Sequence, residues 1–135
     1  MKKAVVVGFG FMGMTHSLNI FKNPDLELVA IVDKDIESIE SKLEQPEGNF
    51  STGNIDPQKI RKVNKYRTLT DCIEKEDFDT VHVCVHTNLH YEVTREALHA
   101  GKQVLLEKPF SLDLEECEEL IHHAEEKDLI LMVVH

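Results

Sequence analysis

The stretch Val5–His16, VVVGFGFMGMTH, holds three glycines in the spacing G-x-G-x-x-G only a few residues from the start of the chain. A β-branched run precedes the first glycine, and Met14, Leu18 and Phe21 follow at helical spacing. The stretch is therefore predicted to form a strand, a tight turn and the beginning of a helix. Such glycines have two explanations: an ordinary glycine-rich turn, or a site where the backbone must approach a diphosphate.

Three features of the surrounding sequence favour the diphosphate site. The motif follows a predicted strand, it opens a predicted helix, and Asp33 lies 20 residues beyond Gly13 at the end of the apolar run Leu26–Val32. This combination is typical of a dinucleotide-binding βαβ unit. In such a unit Gly8 would make the tight turn, Gly10 would leave room for the pyrophosphate, and Gly13 would let the helix pack closely on the strand.

Asp33 also predicts which dinucleotide binds. A carboxylate at this position accepts hydrogen bonds from the adenosine ribose and repels a 2′-phosphate, so NAD is expected in preference to NADP. Lys34 weakens that preference because its ammonium group could pair with a phosphate. The alternative is that Asp33 only caps the next helix. The cofactor contacts predicted in this part of the chain are Gly8, Phe9, Gly10, Phe11, Met12, Gly13, Asp33 and Lys34.

The rest of the chain continues to alternate strands and helices. Strands are expected at 3–8, 26–32, 63–67, 80–85, 103–106 and 129–134, and helices after Gly13 and at 35–43, 70–75, 88–100 and 113–127. The stretch 45–64 is interpreted as a loop or insertion with one helical turn near 57–62, since it is polar and contains prolines and glycines. The alternation predicts a doubly wound, mostly parallel α/β sheet of six strands in one domain, residues 1–135.

Composition excludes several classes of function. The 135 residues suit one domain, and the net charge of -10 argues against binding to nucleic acid or to an anionic membrane surface. No apolar run reaches the roughly 18 residues that a membrane span requires. Cys72, Cys84 and Cys117 are odd in number and widely spaced, which favours reduced thiols and a cytoplasmic location.

Two further patterns are interpreted as structural. His82, Cys84 and His86 alternate along a predicted strand, a spacing that can bind zinc. A central parallel strand is covered on both faces, so His82 is expected to be a hydrogen-bonded interior residue and no metal is predicted. In the helix at 113–127, the side chains expected to face inward are Leu114, Cys117, Leu120 or Ile121, and Ala124.

Several segments together resemble one known family. GFGFMGMTH, PDLELVAIVDKD and TNLHYEVTREALHAGKQVLLEKPFSLDLEECEELIHHAEE, with the closing apolar strand, are similar to the Gfo/Idh/MocA oxidoreductases, and Glu107-Lys108-Pro109 is the most specific short match. The resemblance implies an N-terminal NAD(P)-binding Rossmann domain followed by a second α/β domain. It implies hydride transfer to or from sugars, polyols and related alcohols. It also implies that Lys108 is catalytic, beside the nicotinamide and the reacting hydroxyl.

The resemblance further implies which residues lie near the ribose and the nicotinamide. After the fourth strand the family often has Thr-Pro or Pro-Thr-Asn-x-His, where this chain has His86 in place of the proline. Asn88 matches the pattern, although it could instead cap the next helix. For Glu107 and Lys108, at the end of the fifth strand, the alternative to a cofactor contact is a solvated Glu-Lys pair in a turn. The contacts implied here are Val85, His86, Thr87, Asn88, His90, Glu107, Lys108 and Pro109.

Two functions remain open at this point. In the first, the chain is the cofactor-binding half of an NAD-dependent dehydrogenase, whose sugar or polyol substrate would need the second family domain, absent from this sequence. In the second, it is a stand-alone, non-catalytic dinucleotide-binding or sensor module. Self-association into a homo-oligomer is expected in either case, because a missing domain would leave an exposed surface.

Overall fold

The computed structural model of the chain describes residues 1–44, 56–108 and 113–134. Its strands are β1 Lys2–Val7, β2 Leu26–Val32, β3 Asn64–Tyr66, β4 Thr80–Val83, β5 Gln103–Glu107 and β6 Leu131–Val134. Its helices are α1 Phe11–Lys22, α2 Ile36–Glu44, α3 Pro57–Lys62, α4 Leu69–Lys75, α5 Thr87–His99 and α6 Leu114–Glu126.

The six strands form one parallel sheet in the order β3-β2-β1-β4-β5-β6. This confirms the predicted doubly wound α/β sheet. The strand order reverses beside β1, which pairs with β2 on one side and β4 on the other. In open parallel sheets the crevice at such a reversal, outside the carboxyl ends of the strands, is where ligands bind.

Apolar layers cover both faces of the sheet. Along β1, Val5 and Val7 point to the layer that contains α4, α5 and α6, whereas Ala4 and Val6 point to the layer that contains α1, α2 and α3. None of these four side chains is more than 4% exposed. The near-continuous apolar sequence of the central strands follows from this two-sided burial.

The described part of the stretch 45–64 contains α3 and the first residue of β3. Asp56 is the N-cap of α3 and accepts a hydrogen bond from the Gln58 N–H, and Pro57 occupies the first turn. The helical turn predicted near 57–62 is thus confirmed, and β3 begins at Asn64, inside the stretch interpreted as a loop. Residues 45–55 lie outside the described residues.

The predicted inward face of α6 is wrong at Leu114, which is 73% exposed. Leu120 and Ala124 are buried in the core as predicted, and Ile121, the alternative to Leu120, is 44% exposed. The reason is that α6 packs chiefly against α5, at the edge of its layer, so that only a narrow stripe of the helix is covered. Among the described residues no helix has the length and apolar character needed to cross a bilayer.

Candidate functional site

A cleft of about 580 Å³ lies at the carboxyl ends of β1, β2 and β4, where the strand order reverses. Many of the predicted cofactor contacts line it: Gly8, Phe9, Gly10, Phe11, Met12, Asp33, Lys34, Val85 and His86. The topology therefore brings the glycine loop, the end of β2 and the β4–α5 connection to one place.

Two of the three motif glycines are required by the backbone around them. Gly8 has φ +94°, and a Cβ added there would lie 2.6 Å from the carbonyl oxygen of Cys84. A Cβ added to Gly13 would lie 1.9 Å from the carbonyl oxygen of Gly8. Gly8 thus makes a turn that L-residues rarely adopt, and Gly13 permits the close approach of α1 to the end of β1.

Gly10 differs from the other two because nothing in the described residues requires it to be glycine. Its φ is -83°, and an added Cβ would meet none of their atoms within 4 Å. Gly10 is the N-cap of α1, has no side chain to cap the helix, and the first turn carries no acidic residue. The uncapped, partially positive end of α1 therefore faces open space, which is the arrangement that suits the diphosphate of a dinucleotide.

Asp33 links the end of β2 to the glycine loop. Its Oδ2 accepts a hydrogen bond of 2.8 Å from the Phe9 N–H, and its Oδ1 accepts one of 2.9 Å from the Asp35 N–H. Asp33 thus does more than begin the next helix, since it also holds the loop that precedes α1. Each carboxylate oxygen keeps a further acceptor site for a ribose hydroxyl.

Cations that the sequence reasoning missed also line the cleft. Lys42 of α2 donates to the Phe9 carbonyl oxygen, and Arg67 donates to the Lys34 carbonyl oxygen at 3.2 Å. Arg67 also pairs with Glu37, and this hydrogen bond lowers the pKa of the Glu37 carboxyl. Sequence reasoning could have found Arg67, because it directly follows β3 at the same edge of the sheet. No sequence pattern pointed to Lys42.

The cofactor contacts predicted in and after the connection from β4 to α5 fall into two groups. Val85 and His86 line the cleft, whereas Thr87, Asn88 and His90 do not. The N-cap of α5 is His86, so the alternative that Asn88 caps this helix is wrong: the helix begins one residue before it. His90 is 1% exposed and its Nε2 donates to the Val85 carbonyl oxygen at 2.9 Å, which supports the connection from behind.

Glu107 and Lys108 lie at the carboxyl end of β5. Lys108 is exposed, and Pro109 lies outside the described residues. The Glu107 side chain is only 15% exposed, with Oε2 at 2.8 Å from Nε2 of His16. The alternative of a solvated Glu-Lys pair is therefore wrong for Glu107.

His82 is a buried, hydrogen-bonded residue, as expected. It is 8% exposed, and its Nδ1 lies 2.9 Å from Nδ1 of His16. Burial, and then the neighbouring His16, lower the pKa of His82 to about 4. Burial raises the pKa of Cys84 to about 12, with a further contribution from the charge of Glu107. Within the described ranges no three His, Cys, Asp or Glu side chains are grouped to hold a metal ion.

The low pKa of His82 predicts a specific loss of stability in acid. Because the pKa falls from about 6.5 in the unfolded chain to about 4 in the folded chain, the folded state binds fewer protons between these values. Stability is full above pH 6.5 and falls as the pH drops toward 4, by up to about 3 kcal/mol from this residue. Urea unfolding at several pH values should show a shallower decline for His82→Asn than for the native chain. The exposed-site control His122→Asn should follow the native curve, and parallel curves for His82→Asn would contradict the assignment.

Comparison with known proteins identifies relatives of the whole described fold. Residues 2–135 match the Gfo/Idh/MocA model, an oxidoreductase family with an NAD-binding Rossmann fold. The chain is 30% identical over 126 residues to the myo-inositol 2-dehydrogenase of Thermotoga maritima. The aligned region covers 93% of this chain and 34% of that enzyme.

Two solved structures share the fold. GenD2 from gentamicin A biosynthesis, crystallised with NAD, has a TM-score of 0.80 at 24% identity, covering 98% of this chain and 34% of that one. The WlbA dehydrogenase of Chromobacterium violaceum, crystallised with NADH and UDP-GlcNAcA, also has a TM-score of 0.80 at 24% identity, covering 99% and 35%. The chain thus spans about a third of the length of these relatives.

Proposed function

Because the chain belongs to the Gfo/Idh/MocA oxidoreductase family, we propose that it binds NAD for hydride transfer to or from a sugar, polyol or related alcohol. The observation that carries the proposal is the open space at Gly10, in front of the uncapped end of α1 and beside the Asp33 carboxylate. A relative named as a myo-inositol dehydrogenase and neighbours crystallised with NAD or NADH support it.

The residues of the cleft divide the binding of the dinucleotide between them. The first-turn N–H groups of α1 would hold the diphosphate, since the helix end is positive and uncapped. The Asp33 carboxylate would accept hydrogen bonds from the adenosine ribose through the acceptor sites that Phe9 and Asp35 leave free. Phe11 and Met12, which are 53% and 36% exposed, would cover the bound molecule on the side of the helix.

Lys108 would act at the reacting carbon. Bound NAD supplies a nicotinamide ring that accepts a hydride from an alcohol carbon. The alcohol proton must then leave, and the Lys108 amine would hydrogen-bond the oxygen and take or return this proton. The support is its position: Lys108 directly follows Glu107, the last residue of β5, next to β4, whose end forms the cleft.

A second candidate function is a non-catalytic dinucleotide-binding or sensor module. The observation that favours it is that neither Glu107 nor Lys108 is among the described residues that line the cleft. The two functions differ in turnover. NADH formation by the purified chain across a panel of sugars and polyols would exclude the module, whereas NAD binding without turnover on any of them would favour it.

The choice between NAD and NADP should depend on Asp33. We expect the native chain to bind NAD more tightly than NADP, Asp33→Asn to narrow the difference by about tenfold, and Asp33→Arg to reverse it, because the substitutions remove and then invert the charge that repels a 2′-phosphate. Titration calorimetry with both dinucleotides measures the ratio. Asp35→Asn, which changes a neighbouring carboxylate outside the cleft lining, is the matched control. An NAD affinity that Asp33→Arg leaves unchanged would exclude Asp33 as the ribose ligand.

A further inference from the structure

A buried chain of three hydrogen-bonded side chains joins the first helix to the end of the fifth strand. His82 of β4, His16 of α1 and Glu107 of β5 form it, with contacts of 2.9 Å between the two Nδ1 atoms and 2.8 Å between His16 Nε2 and Glu107 Oε2. The two imidazole rings meet edge to face at 86°. Both histidines are 8% exposed, so water does not replace these contacts easily.

The acceptor at one end of the chain sets the direction of the first hydrogen bond. A carboxylate oxygen accepts, so Nε2 of His16 donates to Glu107. Between the two Nδ1 atoms, one ring donates and the other accepts. The low pKa of His82 keeps this ring neutral near pH 7. Each of the two hydrogen bonds therefore has one donor and one acceptor, and the ring of His16 is held at both nitrogens.

The position of His16 connects this chain to the glycine loop. His16 lies three residues beyond Gly13, on the same helix whose first turn faces the cleft. Its partner Glu107 is the last residue of β5, and Lys108 is the next residue along the chain. One rigid helix thus touches both the loop proposed to hold the diphosphate and the strand end that carries the proposed catalytic lysine.

We propose that His16 is a positioning residue, which fixes Glu107 and thereby sets the direction in which Lys108 leaves β5. This rests on the proposed function of Lys108. Without this donor, the Glu107 side chain would lie as an unpaired charge against the apolar surroundings of His82 and Cys84. Because that is unfavourable, it would turn toward solvent. The end of β5 would lose its side-chain anchor, and Lys108 would sample many directions. His82 acts one step further back, by fixing the tautomer and the orientation of the His16 ring.

Three substitutions at His16 separate its two hydrogen bonds. The glutamine side chain of His16→Gln places an N–H near the position of Nε2 and keeps the bond to Glu107. His16→Asn reproduces only the Nδ1 side, toward His82, and His16→Phe keeps a ring but removes both bonds. His122→Gln, on the exposed face of α6, is the matched control for the loss of an imidazole.

The readout is the backbone order of Glu107 and Lys108, measured by 15N relaxation on the free chain. We expect order parameters of about 0.85 in the native chain, His16→Gln and His122→Gln, and below about 0.6 in His16→Asn and His16→Phe, with α1 unchanged. Unchanged order at Lys108 in a folded His16→Phe chain would overturn the proposal, because a general loss of stability does not loosen one strand end selectively. If His16→Phe does not fold, the 15N spectrum of native His16 decides: a hydrogen on Nε2 supports the proposal, and a bare Nε2 overturns it.

The same samples keep this proposal separate from the proposed function. An NADH titration of the native chain tests the function: absence of binding would contradict it. The order parameters need no cofactor, so they still decide whether His16 positions the end of β5.

Discussion

Gly13→Ala is expected to prevent folding or to reduce the free energy of unfolding by more than about 4 kcal/mol. The added Cβ would lie 1.9 Å from the carbonyl oxygen and 2.9 Å from the carbonyl carbon of Gly8. Both are backbone atoms, so no side-chain rotation relieves the clash. Either α1 moves away from β1, which opens the layer containing Val6 and Leu18, or the turn at Gly8 breaks. Urea unfolding followed by circular dichroism measures the loss.

Two other glycines serve as controls for this result. Gly101 has φ +81° and open space around it, so Gly101→Ala tests backbone strain without a clash and should cost only about 1 to 2 kcal/mol. Gly10→Ala introduces neither and should change stability by less than about 1 kcal/mol. Equal unfolding midpoints for Gly13→Ala and Gly10→Ala would mean that α1 does not approach the end of β1 closely enough to exclude a Cβ.

Gly10→Val is expected to leave the fold intact and to weaken NAD binding by at least about a hundredfold, equivalent to about 2.7 kcal/mol. Its Cβ would enter the open space in front of α1, where it meets no atom of the described residues within 4 Å. The same space is where the diphosphate must approach the first-turn N–H groups, so the valine and the diphosphate exclude one another. Gly10→Ala should give an intermediate loss. Calorimetric titration with NAD measures both, after thermal unfolding has shown that the variants are folded.

Adenosine provides the internal control for Gly10→Val. It carries the ribose that Asp33 is proposed to bind but lacks the diphosphate, so its weaker affinity should be the same in the native chain and the variant. A Gly10→Val chain that bound NAD as tightly as the native chain would exclude the start of α1 as the diphosphate site. An equal loss for adenosine would indicate that the valine disturbs the whole cleft.

The glycine loop and the sheet could be predicted from sequence because their causes are local. The spacing of Gly8 and Gly13 encodes a turn and a close packing contact that few other residues permit, and both causes appear in the structure. The apolar run before Asp33 predicted a strand buried on two faces, and β2 lies inside the sheet. These sequence signals depend on a few neighbouring residues, so a single sequence is enough to predict the turn and the strand.

The remaining contacts of the site depend on tertiary placement. His16 meets Glu107 only because α1 packs on β1, β2 and β4, and β5 lies beside β4. No local sequence pattern shows which strands lie under that helix. Lys42 reaches the glycine loop because α2 runs past it, which helical spacing alone does not reveal. The prediction that Leu114 faces inward was wrong, since the periodicity of α6 does not show how much of this helix α5 covers.

The central claim, that a dinucleotide diphosphate rests against the start of α1, is tested most directly by an NMR titration of the 15N-labelled chain with NAD. The account predicts that the amides of Phe11, Met12 and Gly13 shift most, together with those of Asp33 and Lys34 at the ribose, and that the shifts saturate below millimolar NAD. Amides of the glycine loop that stay in place at saturating NAD, or shifts confined to another face of the sheet, would contradict it.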